Sequence, residues 1–594
     1  MKCSMPVAAA AALCLGGITI LAAAAGSPDA VLVDPQTAAS QWTEYQADAP
    51  KTIVELQPFR STASVEFQLP GDRGLATLIN LNPRVNAWLL LTLHFGVGGI
   101  PLSYHLENPR PDAQLLALSA RGNGLRIAVD GRDIECELWP DGQAGPLQEA
   151  QRSGLPYAPL CGDRLYLRNA VAGTYTHLER VTNFLRDHVW GGEQIVGFVK
   201  QEFFADAFLE KGEAGPASMP PARTVSAGAP PPPIAATFAE RAVVPEHLAI
   251  DVGQGRAGLM LGQWYAIRDS AGMFISVIQP EAIGTPVSRQ EIRSVNQLDA
   301  VESAALDYMV AIDLSQFDLG FALGTDHPRV EWSERVLESA RNPKLLGPDG
   351  IGSVAPLVVN GMVNPPTVER AAAAFAGGFK REHGAFRYGA LALKNHGSHY
   401  GFIEQGVIFS KLQPGLATLF VDDTGAVQMK TWAPADDAAL PHIKYARQNG
   451  VPLIEYDEKT ATSMPGPLVN SWGPGNWSGS SEEHLRTLRS GACLLVSGPR
   501  RFLVYGYFST ATPSAMARVF RAYGCRYAMH LDMNALEHTY FAVYSHKDGR
   551  IAVQHLIDGM AEVDRKGGGE LAPRFLSFPD DRDFFYLTRK RTPP

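Results

Sequence analysis

The sequence predicts an α+β protein, with a β-rich N-terminal module ending in helices and a C-terminal domain of mixed α/β character. Three observations predict it. Residues 124–138, "GLRIAVDGRDIECEL", alternate apolar and polar residues on both sides of Asp130-Gly131, the signature of a hairpin. Residues 211–235, "KGEAGPASMPPARTVSAGAPPPPIA", are Pro/Ala/Gly-rich and nearly uncharged, which marks a semi-rigid linker. From about residue 367 onward, short apolar runs pair around turn signals and a helical pattern intervenes at 513–523. At 594 residues the chain is also too long for one compact core, so two or three domains are expected.

In chain order, residues 1–25, "MKCSMPVAAAAALCLGGITILAAAA", join one Lys, an apolar stretch and a small-residue exit at Ala23–Ala25. This is a signal-peptide pattern with cleavage close to Ala25, and it predicts export to the periplasm or beyond. No later segment has the ~20 uncharged apolar residues of a membrane helix. The run "VNAWLLLTLHFGVGGI" is short, Gly-broken and contains His94, so it reads as core. With Cys3 and Cys14 inside the leader, Cys136, Cys161, Cys493 and Cys525 remain, and four cysteines allow three pairings. Pairing within each expected domain favours Cys136–Cys161 and Cys493–Cys525, with free buried thiols as the alternative for the second pair.

The first module, residues 30–210, is expected to close with helices. Thr176-x-x-Glu179 forms a capping box ahead of Leu178, Val181, Leu185 and Val189 on one stripe. Beyond the linker (211–236), residues 237–366 read as a β-rich lead-in through "AGLMLGQWYAIRD", "GMFISVIQ" and "YMVAIDLSQFDLGFALG". A helix is predicted to begin around Thr367, followed by strand pairs at 388–394, 401–409 and 416–431. "GACLLVSGPRRFLVYGYF" is a hairpin turning at Ser497-Gly498-Pro499. Thr512-Pro513 then opens a helix with Met516, Val519, Phe520 and Tyr523 on one face, and Gly524 ends it. The following strand, from Tyr527 to Leu531, runs into Asp532, with Asn534, Glu537 and His538 close behind.

Composition narrows the function. The apolar share is 45%, the charged share 19% and the net charge −9, with no basic stripe, which argues against nucleic-acid binding. There is no P-loop, dinucleotide fingerprint, HExxH or GxSxG. His396 and His399 are three apart but lack a helix or a neighbouring Cys or Asp, so no metal site is assigned to them.

Four stretches in order resemble the phosphodiester glycosidase family, whose animal member removes N-acetylglucosamine from a phosphodiester on lysosomal enzymes. They are "AAAAFAGGFKREHGAF" (371–386), "LRSGACLLVSGPRRFLVYGYF" (488–508), "TPSAMARVFRAYGCRYAMHLD" (512–532) and "LDMNALEHT" (531–539). The resemblance covers the last third of the chain, so residues 367–594 are expected to form such a domain. It implies hydrolysis of a sugar-1-phosphodiester, with a glycan or sugar phosphate as substrate. Two positions depart from the family: Ala376 replaces its usual Asn, and Met533-Asn534 replaces the Gly pair after the Asp. They imply either a different substrate or a glycan-binding protein without turnover.

The candidate residues follow from this chemistry. Asp532 and Glu382 are the carboxylates expected to act as acid and base in either order, with His383 and His538 as catalytic partners. Arg489 is expected to pair the phosphate, because a guanidinium matches two phosphate oxygens. Gly377 and Gly378 would let backbone approach the ligand, and Lys380 and Asn534 would bind phosphate or hydroxyls. Trp472 and Trp477, in the loop "NSWGPGNWSGSSEEH", would offer faces to sugar rings. For each residue the plain alternative is a turn, a charged loop or a packing anchor. No cofactor is expected, and the sequence leaves room for a structural divalent cation.

Overall fold

The computed structural model describes residues 52–96, 98–176, 179, 206–212, 214–216, 229–232, 234, 241–253, 258–283, 294–327, 353–380, 400–470, 484–567 and 570–591. The signal-like segment, Glu382, His383, His396, His399, Trp472, Trp477 and the predicted 388–394 strand lie outside them, as does the apolar stripe after Glu179. The fold is the β-rich α+β arrangement expected from the sequence, and among the described residues the ladders between strands are antiparallel, with one isolated parallel bridge, Thr174 to Asp580.

The N-terminal module is built on a six-stranded sheet, ordered Ser61–Leu69, Asp72–Asn80, Trp88–Phe95, Leu102–Glu107, Leu165–Arg168, Tyr157–Leu160. Beside it lies a three-stranded sheet containing the predicted hairpin, Gly124–Val129 and Arg132–Glu137. Its turn residues Asp130 and Gly131 have φ of 49° and 72°, the left-handed pair a two-residue hairpin requires. The two sheets and the helix Gly145–Arg152 enclose a core of their own around Leu91, Leu106, Ile127, Trp139 and Leu147.

Among the described residues a larger core joins most of the remaining strands with Ile53, Trp88 and Leu90 of the N-terminal segment, and a small separate cluster lies around Ile403, Phe420 and Trp432. An eight-stranded sheet runs Tyr265–Ala266, Met273–Ile278, Asp307–Asp313, Arg500–Ala511, Thr487–Ser497, Cys525–Met533, Ile454–Asp457, Thr462–Pro465. Strands of the 237–366 segment are thus hydrogen-bonded directly to strands of the 367–594 segment. The hairpin at Ser497–Arg500 forms where expected. Thr512 caps the helix Pro513–Ala522 by accepting from the Ala515 N–H, and Gly524 follows at φ 77°.

The Ala-rich run behaves differently from the expectation of a helix near Thr367. Only Pro365–Val368 is helical, and Ala371–Ala376 is a buried strand. It lies in a five-stranded sheet ordered Phe317–Ala322, Phe584–Arg589, Ala371–Ala376, Phe541–Lys547, Arg550–His555. Alanine favours a helix intrinsically, but strands on both sides supply backbone partners, and tertiary pairing overrides a weak local preference. Phe375 packs within 5.3 Å, centroid to centroid, of both Tyr505 and Phe585, where its small neighbours leave room.

Both expected disulfides are present, with Cα–Cα distances of 5.7 Å for Cys136–Cys161 and 5.9 Å for Cys493–Cys525. Each ties elements inside one core. Reduction of both is expected to lower stability by about 3 kcal/mol per bridge on the loop-closure model, read as a fall in the urea midpoint on adding reductant. An unchanged midpoint would show that neither bridge constrains the unfolded chain.

The module docks firmly on the larger core. Tyr157 donates its hydroxyl to the Met362 carbonyl at 2.7 Å, and Val358 N–H donates to His105 Nδ1 at 2.9 Å. Arg168 is buried against Trp88, 4.2 Å from the ring centroid, and pairs with the buried Glu107, which also accepts from Asn364. Gln57 exchanges both amide bonds with the backbone of Ile408, at 2.9 and 2.8 Å.

Candidate active site

Strand register assembles the site. In the five-stranded sheet Phe584 pairs with both Ala322 and Ala376, and Phe375 pairs with Phe541. Segments 323–327, 377–380, 534–540 and 580–583 therefore all leave or enter at one end of that sheet. Asp532 reaches the same place from the end of Cys525–Met533 in the eight-stranded sheet.

At the centre is a run of charges, Asp580-Asp581-Arg582-Asp583, all buried. Its backbone is tied on every side: Thr325 and Asp326 N–H donate to the Asp580 and Asp581 carbonyls, Gly377 N–H to Asp583, and Asp580 N–H to Gly361. Buried charge is costly unless paired, and here each member has a partner. Arg582 donates through Nε to Glu179 at 2.5 Å, through Nη1 to Asp532 at 3.0 Å and through Nη2 to His538 Nε2 at 2.6 Å. Arg574 grips Asp580 with two bonds, 2.7 and 2.9 Å. Asp583 lies 2.8 Å from His327 Nδ1 and 3.2 Å from Arg447 Nη2. Lys380 pairs with Asp581 and, at 2.9 Å, with Asp326, below the Tyr175 ring.

Asp532 Oδ2 holds Arg582, while Oδ1 accepts from its neighbour's N–H, Met533, at 2.8 Å. Burial pushes its pKa up to about 6, although Arg582 pulls the other way. Burial likewise raises Asp581 despite the Lys380 ammonium beside it. Glu179 shows the opposite balance: burial would raise it, yet the Arg582 guanidinium holds it well below the usual carboxylate range. His538 bonds the Met533 carbonyl through Nδ1 at 2.8 Å. A carbonyl only accepts and a guanidinium only donates, so this geometry assigns the proton to Nδ1 and the lone pair to Nε2.

Of the residues singled out from sequence, Asp532, His538 and Lys380 come to this cluster. Gly377 and Gly378 border it, but the close approach they allow is to the protein itself. A Cβ on Gly378 would sit 2.8 Å from Arg447 Nη1, and its φ is 136°. Gly378→Ala is expected to cost about 2 kcal/mol by displacing Arg447 and straining the backbone, measured by denaturant unfolding. A variant as stable as the parent would show that the guanidinium moves freely.

Arg489 is fully buried, but its bonds go to the Ala511 and Leu485 carbonyls, at 2.8 and 3.0 Å, and to Met533 Sδ at 3.4 Å. Burial lowers its pKa to about 9. The guanidinium on Asp532 is Arg582 instead. Asn534 takes φ 80° in the turn after Asp532, where Asn is tolerated, and its side chain accepts from Thr487 at 3.0 Å. Ala376 lies within the strand, its N–H bonded to the Tyr540 carbonyl and its methyl buried.

Sequence reading missed Arg582 and Glu179. Four consecutive charges normally mark a solvated loop; their bracketing by Phe578 and Phe584-Phe585 was the available signal. In sequence Glu179 reads as half of a capping box, which it is, accepting from Thr176 N–H at 2.9 Å. Its other oxygen serves Arg582.

Among known proteins, no family model matches this chain, and no curated protein matches it. Solved structures give weak likenesses. The catalytic domain of zebrafish N-acetylglucosamine-1-phosphodiester alpha-N-acetylglucosaminidase, auto-inhibited by its pro-peptide, aligns at TM-score 0.27 and 11% identity, over 55% of this chain and 85% of that one. A hypothetical protein from Synechocystis aligns at TM-score 0.19 and 10% identity over 89% and 97% of the two chains. A putative exported protein from Burkholderia pseudomallei gives 0.21 and 10% over 89% and 98%. At these scores the likenesses carry no argument about this chain.

Proposed function

We propose that the protein hydrolyses the glycosidic bond of a sugar-1-phosphodiester in an envelope or extracellular glycan. One observation carries this reading: Asp532, with its pKa raised to about 6, is held 3.0 Å from the buried Arg582, on which His538 also converges. A carboxyl that exchanges its proton near neutrality, beside a cation suited to phosphate oxygens, is what this cleavage requires. The order of the sequence motifs around Asp532 supports the same chemistry.

In the reaction the anomeric C–O bond breaks, the phosphate oxygen keeps the electron pair, and water supplies hydroxyl to the sugar. Arg582 and Lys380 would bear the phosphate charge. Asp532 would either protonate the departing oxygen or take the proton from water. Glu382, His383, Trp472 and Trp477 remain proposed contributors on the sequence resemblance alone. Export fits the two disulfides, which persist in oxidising compartments, and the signal-like N-terminus. No helix among the described residues is long and apolar enough to cross a membrane.

A second reading, glycan binding without turnover, rests on Ala376 and Met533 where the resembled family has Asn and Gly, and the depth of the cluster counts against turnover. Asp532 is 3% exposed, and each nitrogen of Arg582 already donates to a protein group. The experiment that separates them is release of free sugar from a panel of sugar-1-phosphodiesters by the full chain. Turnover on any member supports the hydrolase; binding of the panel with no release supports the second reading.

A further inference from the structure

The opposite end of the five-stranded sheet carries the opposite charge. Ala371–Ala376 spans roughly 17 Å at the rise of a strand, so this end lies well away from Asp532 and Arg582. There a cavity of about 560 Å³ opens between the start of that strand, the end of Phe541–Lys547 and the end of Phe584–Arg589. Its wall holds five cationic side chains, Arg370, Lys547, Arg589, Lys590 and Arg591, against two acids, Asp269 and Glu369. The chain as a whole is at −9, so a concave patch with three cations in excess is not its average surface.

The partners of these cations sharpen this. Lys547 is neutralised by Asp269 at 2.8 Å, and Arg370 faces Asp318 at 3.4 Å. Arg589 and Lys590 instead donate to backbone carbonyls, Ala271 at 3.4 Å and Leu314 at 2.9 Å. A carbonyl orients a cation without cancelling its charge. The guanidinium of Arg589 is further fixed over the Phe317 ring, 5.2 Å from its centroid. Three consecutive cations at a strand end, two of them held by neutral acceptors, form a preorganised site for negative charge.

We propose that this cavity binds a multiply charged oxyanion, a phosphate or sulfate group free or borne on a glycan, separately from the Asp532 site. Arg589 and Lys590, held by carbonyls, together with the exposed Arg591 suit a ligand with adjacent negative groups better than a single carboxylate. The proposal does not depend on the hydrolase reading.

Titration calorimetry of the full chain with inorganic pyrophosphate and with a sulfated oligosaccharide tests it. Binding of at least one probe is expected, weakened at least tenfold between 50 and 500 mM NaCl as the charges are screened. The double variant Lys590→Gln, Arg591→Gln changes two exposed side chains and is expected to lose at least tenfold in affinity, while Asp532→Asn keeps it. Tighter pyrophosphate binding assigns a small free oxyanion; tighter oligosaccharide binding assigns a glycan-borne one. No binding of either probe, or equal affinity in the double variant, overturns the proposal.

Discussion

Asp532→Asn is expected to lower kcat/KM for sugar release by about 10²- to 10⁴-fold, the usual contribution of a positioned acid or base. The amide keeps the shape and its oxygen still accepts from Arg582, but its nitrogen then faces the Met533 N–H, so the urea midpoint of the variant is measured beside its rate to separate lost proton transfer from lost stability. The pH profile makes the prediction specific. The wild-type rate should inflect near pH 6, where burial has placed the carboxyl, and the inflection should vanish in the variant. A rate that falls above pH 6 identifies Asp532 as the acid; a rate that rises identifies it as the base. Turnover in Asp532→Asn with the same inflection would remove this residue from the chemistry. The sign for stability follows from the same shift. A folded pKa near 6 lies above the ordinary 3.8, so the native state holds the proton more tightly. The stability from that proton is complete below about pH 4 and is lost as pH rises through 6.

Arg582→Met is expected to destabilise the protein by about 3–5 kcal/mol at neutral pH, because it strands two buried carboxylates without their cation. Glu179 and Asp532 both bond this guanidinium, at 2.5 and 3.0 Å, and both are buried. Methionine fills much of the same volume, so the loss reports charge more than a cavity. The deficit should shrink in acid. Arg582 holds the pKa of Glu179 well down in the native protein, and without it that carboxyl would take up a proton and become tolerable when buried. Urea unfolding at pH 7 and pH 4 measures this, and a double-mutant cycle with Glu179→Gln isolates the pair. Equal deficits at both pH values would mean that the guanidinium acts by packing alone.

These two residues also mark the reach of sequence reading. Asp532 was visible because an apolar strand that ends on a carboxylate breaks its own pattern. The hairpin at Asp130-Gly131, the Thr512 cap and the Gly524 stop were visible for a similar reason, since each is decided within a few residues. Ala371–Ala376 went the other way, because its partners at 541 and 584 are supplied from more than 160 residues away. Arg582 was hidden in a charge run whose local chemistry says surface. Only the register of Phe584 against Ala322 and Ala376 carries that run into the interior. Arg489 shows the converse: a guanidinium beside the right strand, occupied by carbonyls that no spacing rule anticipates.

The bond from Glu179 to Arg582 has a consequence for ancestry and engineering alike. A carboxylate contributed from before the Pro-rich segment neutralises a guanidinium near the far end of the chain, 403 positions later. The two halves are therefore not interchangeable cassettes. Grafting a foreign leading half, or dispensing with it, would leave this interior cation with Asp532 and His538 but one carboxylate short.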